Sequence, residues 1–529
     1  MFGIERRAWL LAILSAILQI VIFPLPNLYV LSWIAVAPLL VAILRARKPE
    51  TLQLRGEAKL LPATPTQAFF LGYLCGIIWY VGTCYWIYST MKQFGGINAA
   101  EAAGLLLLFS LYLALYHGLV GLVISLLAKS SARLAVVLSP FVWVAVELVR
   151  TRLTGFPWDL LGITQVDNIP LATVARFTGV YGVSFEILVV NAAIATAFLL
   201  RRSRRRRLLF VSLGAALALQ LARWVPMPAF PADRTALLVQ ENIPVLDSTD
   251  WTRQYFDDTL ADLSRLSQTS TTGERRHPGL IVWPESPAPF YTGDPLFRTA
   301  VTHLASSAHA WVLAGGIGVQ NASMSPQHAT EIFNSAALVS PDGEWTARYD
   351  KIHLVPFGEY VPFKRWLSFA GGLTKEVGDF SRGVSRQPLQ AGDQKLGVFI
   401  CYESIFPDDV RQFVNQGAQV LVNISNDGWY GDSGAYAQHL KQARMRAVEN
   451  ARWLLRDTNT GVTASIDPYG RVVQTVPRKV RTALAASYAL SNDTTFYTRH
   501  GDWFAYGCAI ISLGAIVVAL TPGKGRRIG

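Results

Sequence analysis

Charge is scarce in this chain. Of 529 residues, 16% are Asp, Glu, Lys or Arg, while 51% are hydrophobic. That balance excludes an ordinary soluble protein. Cysteine is scarcer still, with four residues, at 75, 84, 401 and 508. Cys75 and Cys84 fall nine positions apart on one expected helix, too far to bridge, so no disulfide framework is written here. No Cys/His spacing suits zinc. Fixed-period repeats and low-complexity tracts are also missing, which excludes solenoids and extended tails.

What is present is a series of apolar runs of about 20 residues, the length a helix needs to cross the hydrocarbon of a bilayer. Seven precede residue 225, at roughly 8–25, 28–46, 67–88, 100–128, 134–150, 172–200 and 208–224, and an eighth covers roughly 503–521. The N-terminal run has a basic start, but no small-residue cleavage site closes it, so it reads as a retained helix rather than a signal peptide. Net charge is +12, and its placement is informative. Arg6 and Arg7, the loop with Arg45, Arg47, Lys48, Arg55 and Lys59, the loop with Lys129 and Arg133, the arginines of "RRSRRRR" (201–207), and Lys524, Arg526 and Arg527 all fall on one side of an eight-helix weave. The positive-inside rule makes that side cytoplasmic and puts residues 225–502 on the other. Arg150 and Arg152 fall on the wrong side. Basic clusters at helix ends read as topology signals, not as a nucleic-acid surface.

Between 225 and 502 the pattern changes. Short strand-like runs appear, "TALLVQENI", "GLIVWPES", "WVLAGGIGV", "SAALVS", "KLGVFICYES" and "QVLVNISND", with helical patterns at 252–268 and 435–452. Strands alternating with helices predict an α/β layered domain. Three strand-end stretches carry chemistry: Glu285 in "LIVWPES", Lys351 in "RYDKIHLVPFGE", and Cys401 in "GVFICYES". A thiolate is a nucleophile, a carboxylate can take and return its proton, and an ammonium can stabilise a tetrahedral oxyanion. Singly, each has a structural explanation: a buried small residue, a helix cap, a solvated loop charge. Together they form an acyl-transfer set without histidine. "GGIG" (315–318) lacks the context of a dinucleotide loop. His353 has no second and third ligand at suitable spacing, and no metal or cofactor is expected.

The stretches "WPES", "RYDKIHLVPFGE" and "CYES" resemble the three motifs of the nitrilase superfamily, whose members use a Glu-Lys-Cys triad in an αββα sandwich. "LVPFGEYVP", "NISNDGWYGDS" and "QARMRAVENARWLLRDTNTG", set among eight spans, make nearly the whole chain similar to the apolipoprotein N-acyltransferase family. The resemblance implies Glu285 as proton acceptor, Lys351 as oxyanion stabiliser and Cys401 as nucleophile. Glu359, Tyr402 and Glu403 would support the site, together with Trp251, Asn334 and Trp429. Glu241 in "VQENIP" stands where many relatives have a small residue, and the loop between Trp251 and Glu285 looks extended. The implied fold is a membrane α-helical bundle of about eight transmembrane helices plus an α/β nitrilase-like αββα sandwich. The implied limits are 1–224 and 503–529 for the membrane part and 225–502 for an extracytoplasmic catalytic domain. The implied activity moves a fatty acyl chain from a membrane phospholipid to the α-amine of a diacylated apolipoprotein, at a bacterial inner membrane. The alternatives are a membrane-tethered amidase or nitrilase-type hydrolase using the same triad, or a catalytically dead binding or transport protein. "FPWDLLG" (156–162) and "FKRWLSFAGGL" (363–373) suit either an interfacial lid or plain packing of domain on membrane.

Overall fold

The computed structural model describes residues 3–47, 61–199, 202–245, 251–271, 278–285, 289–320, 331–360 and 380–521. Lys48, Arg55, Lys59, Arg201, Lys524, Arg526, Arg527 and the stretch 363–373 lie outside the described residues.

Among the described residues, five helices are long and apolar enough to span a bilayer. These are Ala99–Ser130, Ala132–Thr154, Val180–Leu199, Arg205–Trp224 and Trp503–Leu520. The pair Pro65–Thr83 and Trp86–Phe94, bent by 50°, makes a sixth if taken as one span. Two of the eight expected spans are short. Arg6–Val21 has 16 residues, and the apolar stretch Tyr29–Leu44 is broken into turns, with Pro38 opening its last helix. The expected 172–200 run starts its long helix only at Val180. Gly179, at φ +68°, ends a short turn just before it, a conformation only glycine adopts without strain.

Between the bundle helices, the described residues form two six-stranded sheets. The first runs in the order β12 (Thr482–Tyr488), β1 (Arg234–Gln240), β2 (Leu280–Val282), β3 (Trp311–Gln320), β4 (Glu331–Val339) and β5 (Trp345–Asp350). The second runs β11 (Val472–Thr475), β10 (Ala464–Ile466), β9 (Leu454–Thr458), β8 (Val420–Ser425), β7 (Gln394–Ile400) and β6 (Leu389–Ala391). In each, three central strands are parallel, β1-β2-β3 and β7-β8-β9, and the outer pairs are antiparallel. All six strand-like runs of the sequence are strands.

Ala236, Leu238, Val282 and Leu338 of one sheet share a core with Leu396, Val398, Val422 and Ile424 of the other, so the sheets pack face to face. Leu237, Val239 and Ile281 point outward onto the helices Arg253–Thr271 and Pro295–Ala308. The period-two alternation of β1 thus feeds two cores. Phe399 and Leu421 meet the helices Pro407–Asn415 and Ala435–Asn450 on the far side. The result is an αββα sandwich.

The helix Ala435–Asn450 has no solvated face. Twelve of its 16 residues are buried, including Gln438, His439, Lys441, Arg446 and Glu449. One side packs on the second sheet and the other on the bundle. Met445, Val448, Tyr402 and Phe406 belong to the same core as the bundle residues Leu161 and Val180. Buried polar groups need partners, and the bundle supplies them. Asp167 accepts from Lys441 at 2.8 Å and Arg444 at 2.6 Å. Gln438 accepts from Trp158 Nε1 at 2.7 Å and donates to Pro24 and Thr83 carbonyls. Arg152 pairs with Asp408 at 3.1 Å and Asp502 at 2.6 Å. Arg150 is buried and donates to Tyr80 Oη at 2.8 Å. The two arginines that break the expected positive-inside pattern are both held by specific partners. "FPWDLLG" is buried where domain meets bundle, which makes it packing rather than an exposed lid.

Candidate active site

The carboxyl ends of β2, β5, β7 and β8 converge, as ligand-binding ends do in sheets with parallel centres. Glu285 follows β2, Lys351 follows β5, and Cys401 follows β7. Lys351 is 1% exposed. Its ammonium donates to Glu359 Oε1 at 2.9 Å and Glu285 Oε1 at 3.1 Å. Asn334 on β4 bridges the same two oxygens, at 2.6 Å to Glu359 and 2.8 Å to Glu285. Only its NH₂ can do this, because carboxylates accept. The other Glu285 oxygen takes the Asn426 N–H at 2.8 Å, and the other Glu359 oxygen takes the Val355 N–H at 2.8 Å. Burial alone would depress the lysine pKa. The carboxylates of Glu285 and Glu359 outweigh it and hold Lys351 well above the usual lysine value.

Cys401 is buried and has φ +49°. A side-chain-bearing residue in the left-handed region costs roughly 1–3 kcal/mol and persists only where neighbours fix it. Glu403 is one of them. Its carboxylate accepts the N–H groups of Ile400 at 2.7 Å, Ile352 at 2.7 Å and His353 at 3.1 Å, plus the Tyr349 hydroxyl at 2.8 Å. It ties the Cys401 turn to the end of β5, next to Lys351. Burial, and next the Glu285 charge, raise the Cys401 thiol far above its ordinary pKa, while Lys351 opposes them. The resting sulfur is therefore a thiol, and attack needs a base.

The residues expected from sequence divide by location. Glu285, Lys351, Glu359 and Asn334 form one hydrogen-bonded cluster, with the Cys401 thiol inside its electrostatic field. Glu403 supports the turn from behind. Tyr402 points away from the cluster, its hydroxyl donating to the bundle carbonyl of Gly155 at 3.2 Å. Trp429 packs edge-on to Phe94 of the bent helix pair, ring centroids 5.4 Å apart, and its carbonyl accepts from Thr90 at 2.9 Å. Trp251 packs edge-on to Tyr255 at 5.0 Å in the outer layer of the first sheet.

Sequence reading missed a group behind Cys401: Asn423, Asp427, His439 and Arg456, all buried. A signal was there. In "VLVNIS" the fully buried β8 carries Asn423 and Ser425 two apart, polar residues on one face of an interior strand.

Fold and site together define a membrane protein with a nitrilase-type catalytic domain docked on its helical bundle. The family models agree: residues 252–492 match carbon-nitrogen hydrolase and residues 15–193 match the apolipoprotein N-acyltransferase N-terminal domain. The chain is 36% identical to the apolipoprotein N-acyltransferase of Geobacter metallireducens, over 99% of this chain and 97% of that one. It is 35% identical to that of Methylococcus capsulatus, over 88% and 90%, and 33% identical to that of Ralstonia nicotianae, over 91% and 90%. The chain belongs to the apolipoprotein N-acyltransferase family.

Proposed function

We propose that the protein acylates the N-terminal amine of diacylated apolipoproteins with a chain drawn from a membrane phospholipid, through a thioester on Cys401. The observation that carries this reading is the Lys351 ammonium fixed between Glu285 and Glu359 beside a buried, left-handed cysteine.

Glu285 takes the thiol proton as sulfur attacks the ester carbonyl carbon. The tetrahedral oxyanion lies against Lys351. An ammonium has three N–H donors, and two are engaged by Glu359 and Glu285, which leaves the third for the oxyanion. The carbon–oxygen ester bond breaks, Glu285 returns its proton to the departing oxygen, and lysophospholipid leaves. The acceptor's α-amine then attacks the thioester carbonyl. Glu285 takes the amine's proton, the carbon–sulfur bond breaks, and the proton passes to sulfur. The products are an amide and the free thiol. Glu359 and Asn334 keep Lys351 and Glu285 in register, and Glu403 keeps the cysteine in place. Two bulky apolar substrates use one site in turn, because the first product departs before the second arrives.

The bundle, 1–224 with 503–529, anchors the domain of residues 225–502 at the lipid surface. The lysines and arginines at helix ends support a bacterial inner membrane with the catalytic domain on the periplasmic side. Incubating the purified protein with fluorescent phospholipid alone should label Cys401, with a bond cleaved by neutral hydroxylamine. Adding a diacylated lipopeptide should move the label to its amine. Release of free fatty acid alone would favour the hydrolase alternative.

A further inference from the structure

His439 has no part in the chemistry above, yet it lies against the nucleophile's backbone. It is fully buried on the helix Ala435–Asn450. Its Nε2 stands 3.0 Å from the Cys401 carbonyl oxygen. Its Nδ1 stands 2.9 Å from Asp427 Oδ1 and 3.1 Å from Arg456 Nη2. Asp427 also takes the Ser425 hydroxyl at 2.8 Å on Oδ1 and Arg456 Nη2 at 2.9 Å on Oδ2. Arg456 donates through Nη1 to Asn423 Oδ1, and Asn423 Nδ2 donates to the Phe399 carbonyl at 3.1 Å. The bonds leave β7 at Phe399, cross β8 to β9, and return through Asp427 and His439 to the end of β7 at Cys401. They form a closed circuit around the nucleophile.

The circuit restricts the imidazole. A carbonyl oxygen only accepts, so Nε2 must carry hydrogen. Arginine only donates, so Nη2 facing Nδ1 favours the neutral ring with its proton on Nε2. An imidazolium would donate from Nδ1 to Asp427 instead, and it too keeps hydrogen on Nε2. The excluded state is the neutral ring with its proton on Nδ1, which would oppose two lone pairs at Cys401. The ring cannot swing away either. Trp158 of the bundle stacks on it, with centroids 5.9 Å apart and planes at 17°, and Tyr430 meets it edge-on at 5.7 Å.

Glu403 holds the N–H of Ile400, on one side of the left-handed residue. His439 holds the carbonyl of Cys401 itself, on the other. Without the second bond the Cys401–Tyr402 peptide plane can rotate, and rotation shifts sulfur relative to Lys351 and Glu285.

We propose that His439 is a positioning residue for acyl transfer: its Nε2–H bond to the Cys401 carbonyl fixes the direction of the thiol, and Asp427 and Arg456 act by fixing the ring. This rests on Cys401 being the nucleophile.

The test uses the full-length protein in detergent with phospholipid alone, reading acylation of Cys401 by mass spectrometry against time and phospholipid concentration. His439→Gln places an amide N–H near the position of Nε2. His439→Asn is shorter and reaches only the level of Nδ1. Asn is expected to slow acylation by about 10²-fold, the scale of a small misplacement of a reacting group, with half-saturating phospholipid unchanged. Gln is expected to restore most of the rate. A purely structural histidine would make both variants fail alike. Arg456→Lys keeps a positive charge beside Asp427 but loses the forked reach of the guanidinium to Asn423, Asp427 and Nδ1 together, and is expected to slow acylation in the same way. Acylation at the wild-type rate in His439→Asn or Arg456→Lys would overturn the assignment, as would equal slowing in Asn and Gln. Acylation that persists in Cys401→Ala would instead show that the nucleophile is misassigned, a separate failure.

Discussion

Asp167, on a turn of the bundle, holds Lys441 of the catalytic layer at 2.8 Å, across 274 positions of sequence. The same carboxylate holds Arg444 at 2.6 Å. Both cations are largely buried, with side chains 7% and 12% exposed. Removing one member of such a cluster strands the others. Asp167→Ala is expected to cost about 3 kcal/mol, near the low end for a broken buried pair. Thermal unfolding in detergent measures it, and adding Lys441→Met should recover part of the loss. Additive losses in the double variant would show that the pair does not interact.

The triad assignment makes a graded expectation. Cys401→Ala should abolish thioester formation and turnover. Lys351→Met should lower turnover by about 10²–10³-fold, the scale of a lost oxyanion donor. Glu285→Gln should block thioester formation by removing the base. Cys75→Ala and Cys508→Ala should retain activity. Turnover by Cys401→Ala equal to wild type would rule out the site.

The buried thiol also predicts a pH response. Because burial and the Glu285 charge raise the Cys401 pKa far above its ordinary value, the thiolate fraction stays small at neutral pH and grows as pH rises. Alkylation of Cys401 by iodoacetamide should therefore accelerate steadily through pH 9. A plateau between pH 6 and 8 would instead mark a preformed thiolate.

Glu241 is fully buried, and burial raises its pKa to about 7 despite Arg481 nearby. The folded state thus holds a proton that the unfolded chain releases near the ordinary glutamate value. Stability from this group is full below that lower pKa, falls as pH rises towards about 7, and levels off above. Glu241→Gln should be neutral at pH 4 and stabilising by about 2 kcal/mol at pH 8, somewhat less than the full shift implies. Equal melting-point changes at both pH values would refute it.

Much of this architecture was legible in the sequence. Apolar runs of span length, and short runs ending at Glu285 and Cys401, located both bundle helices and the strands that carry the candidate site. Two things were not. Arg6–Val21 and Tyr29–Leu44 are apolar but short or broken, and hydropathy cannot see where a run breaks into short helices. The polar residues of Ala435–Asn450 read as helix, but their burial depends on Asp167 and Trp158, 270–280 positions away. His439 was hidden for a different reason: its Nε2 partner is a backbone carbonyl, which carries no residue signature.

Orientation is open to a direct check. A reporter active only in the cytoplasm, fused at residue 270, should be silent, while one at the C-terminus should be active. Activity at residue 270 would invert the proposed arrangement.

The polar seam between helix Ala435–Asn450 and the bundle has a consequence for how this protein can change. Glu449 accepts the N–H of Val180, the first residue of a bundle helix, at 3.0 Å, and Trp158 of the bundle lies on His439, behind Cys401. A chimera that joins this catalytic domain to a distant relative's bundle would inherit an uncapped helix, unpaired buried charges and an unsupported thiol. The two halves are expected to diverge in step, with substitutions at 158 and 167 matched by changes at 438, 439, 441 and 444. Directed evolution confined to the catalytic half would then run into a boundary set by the bundle.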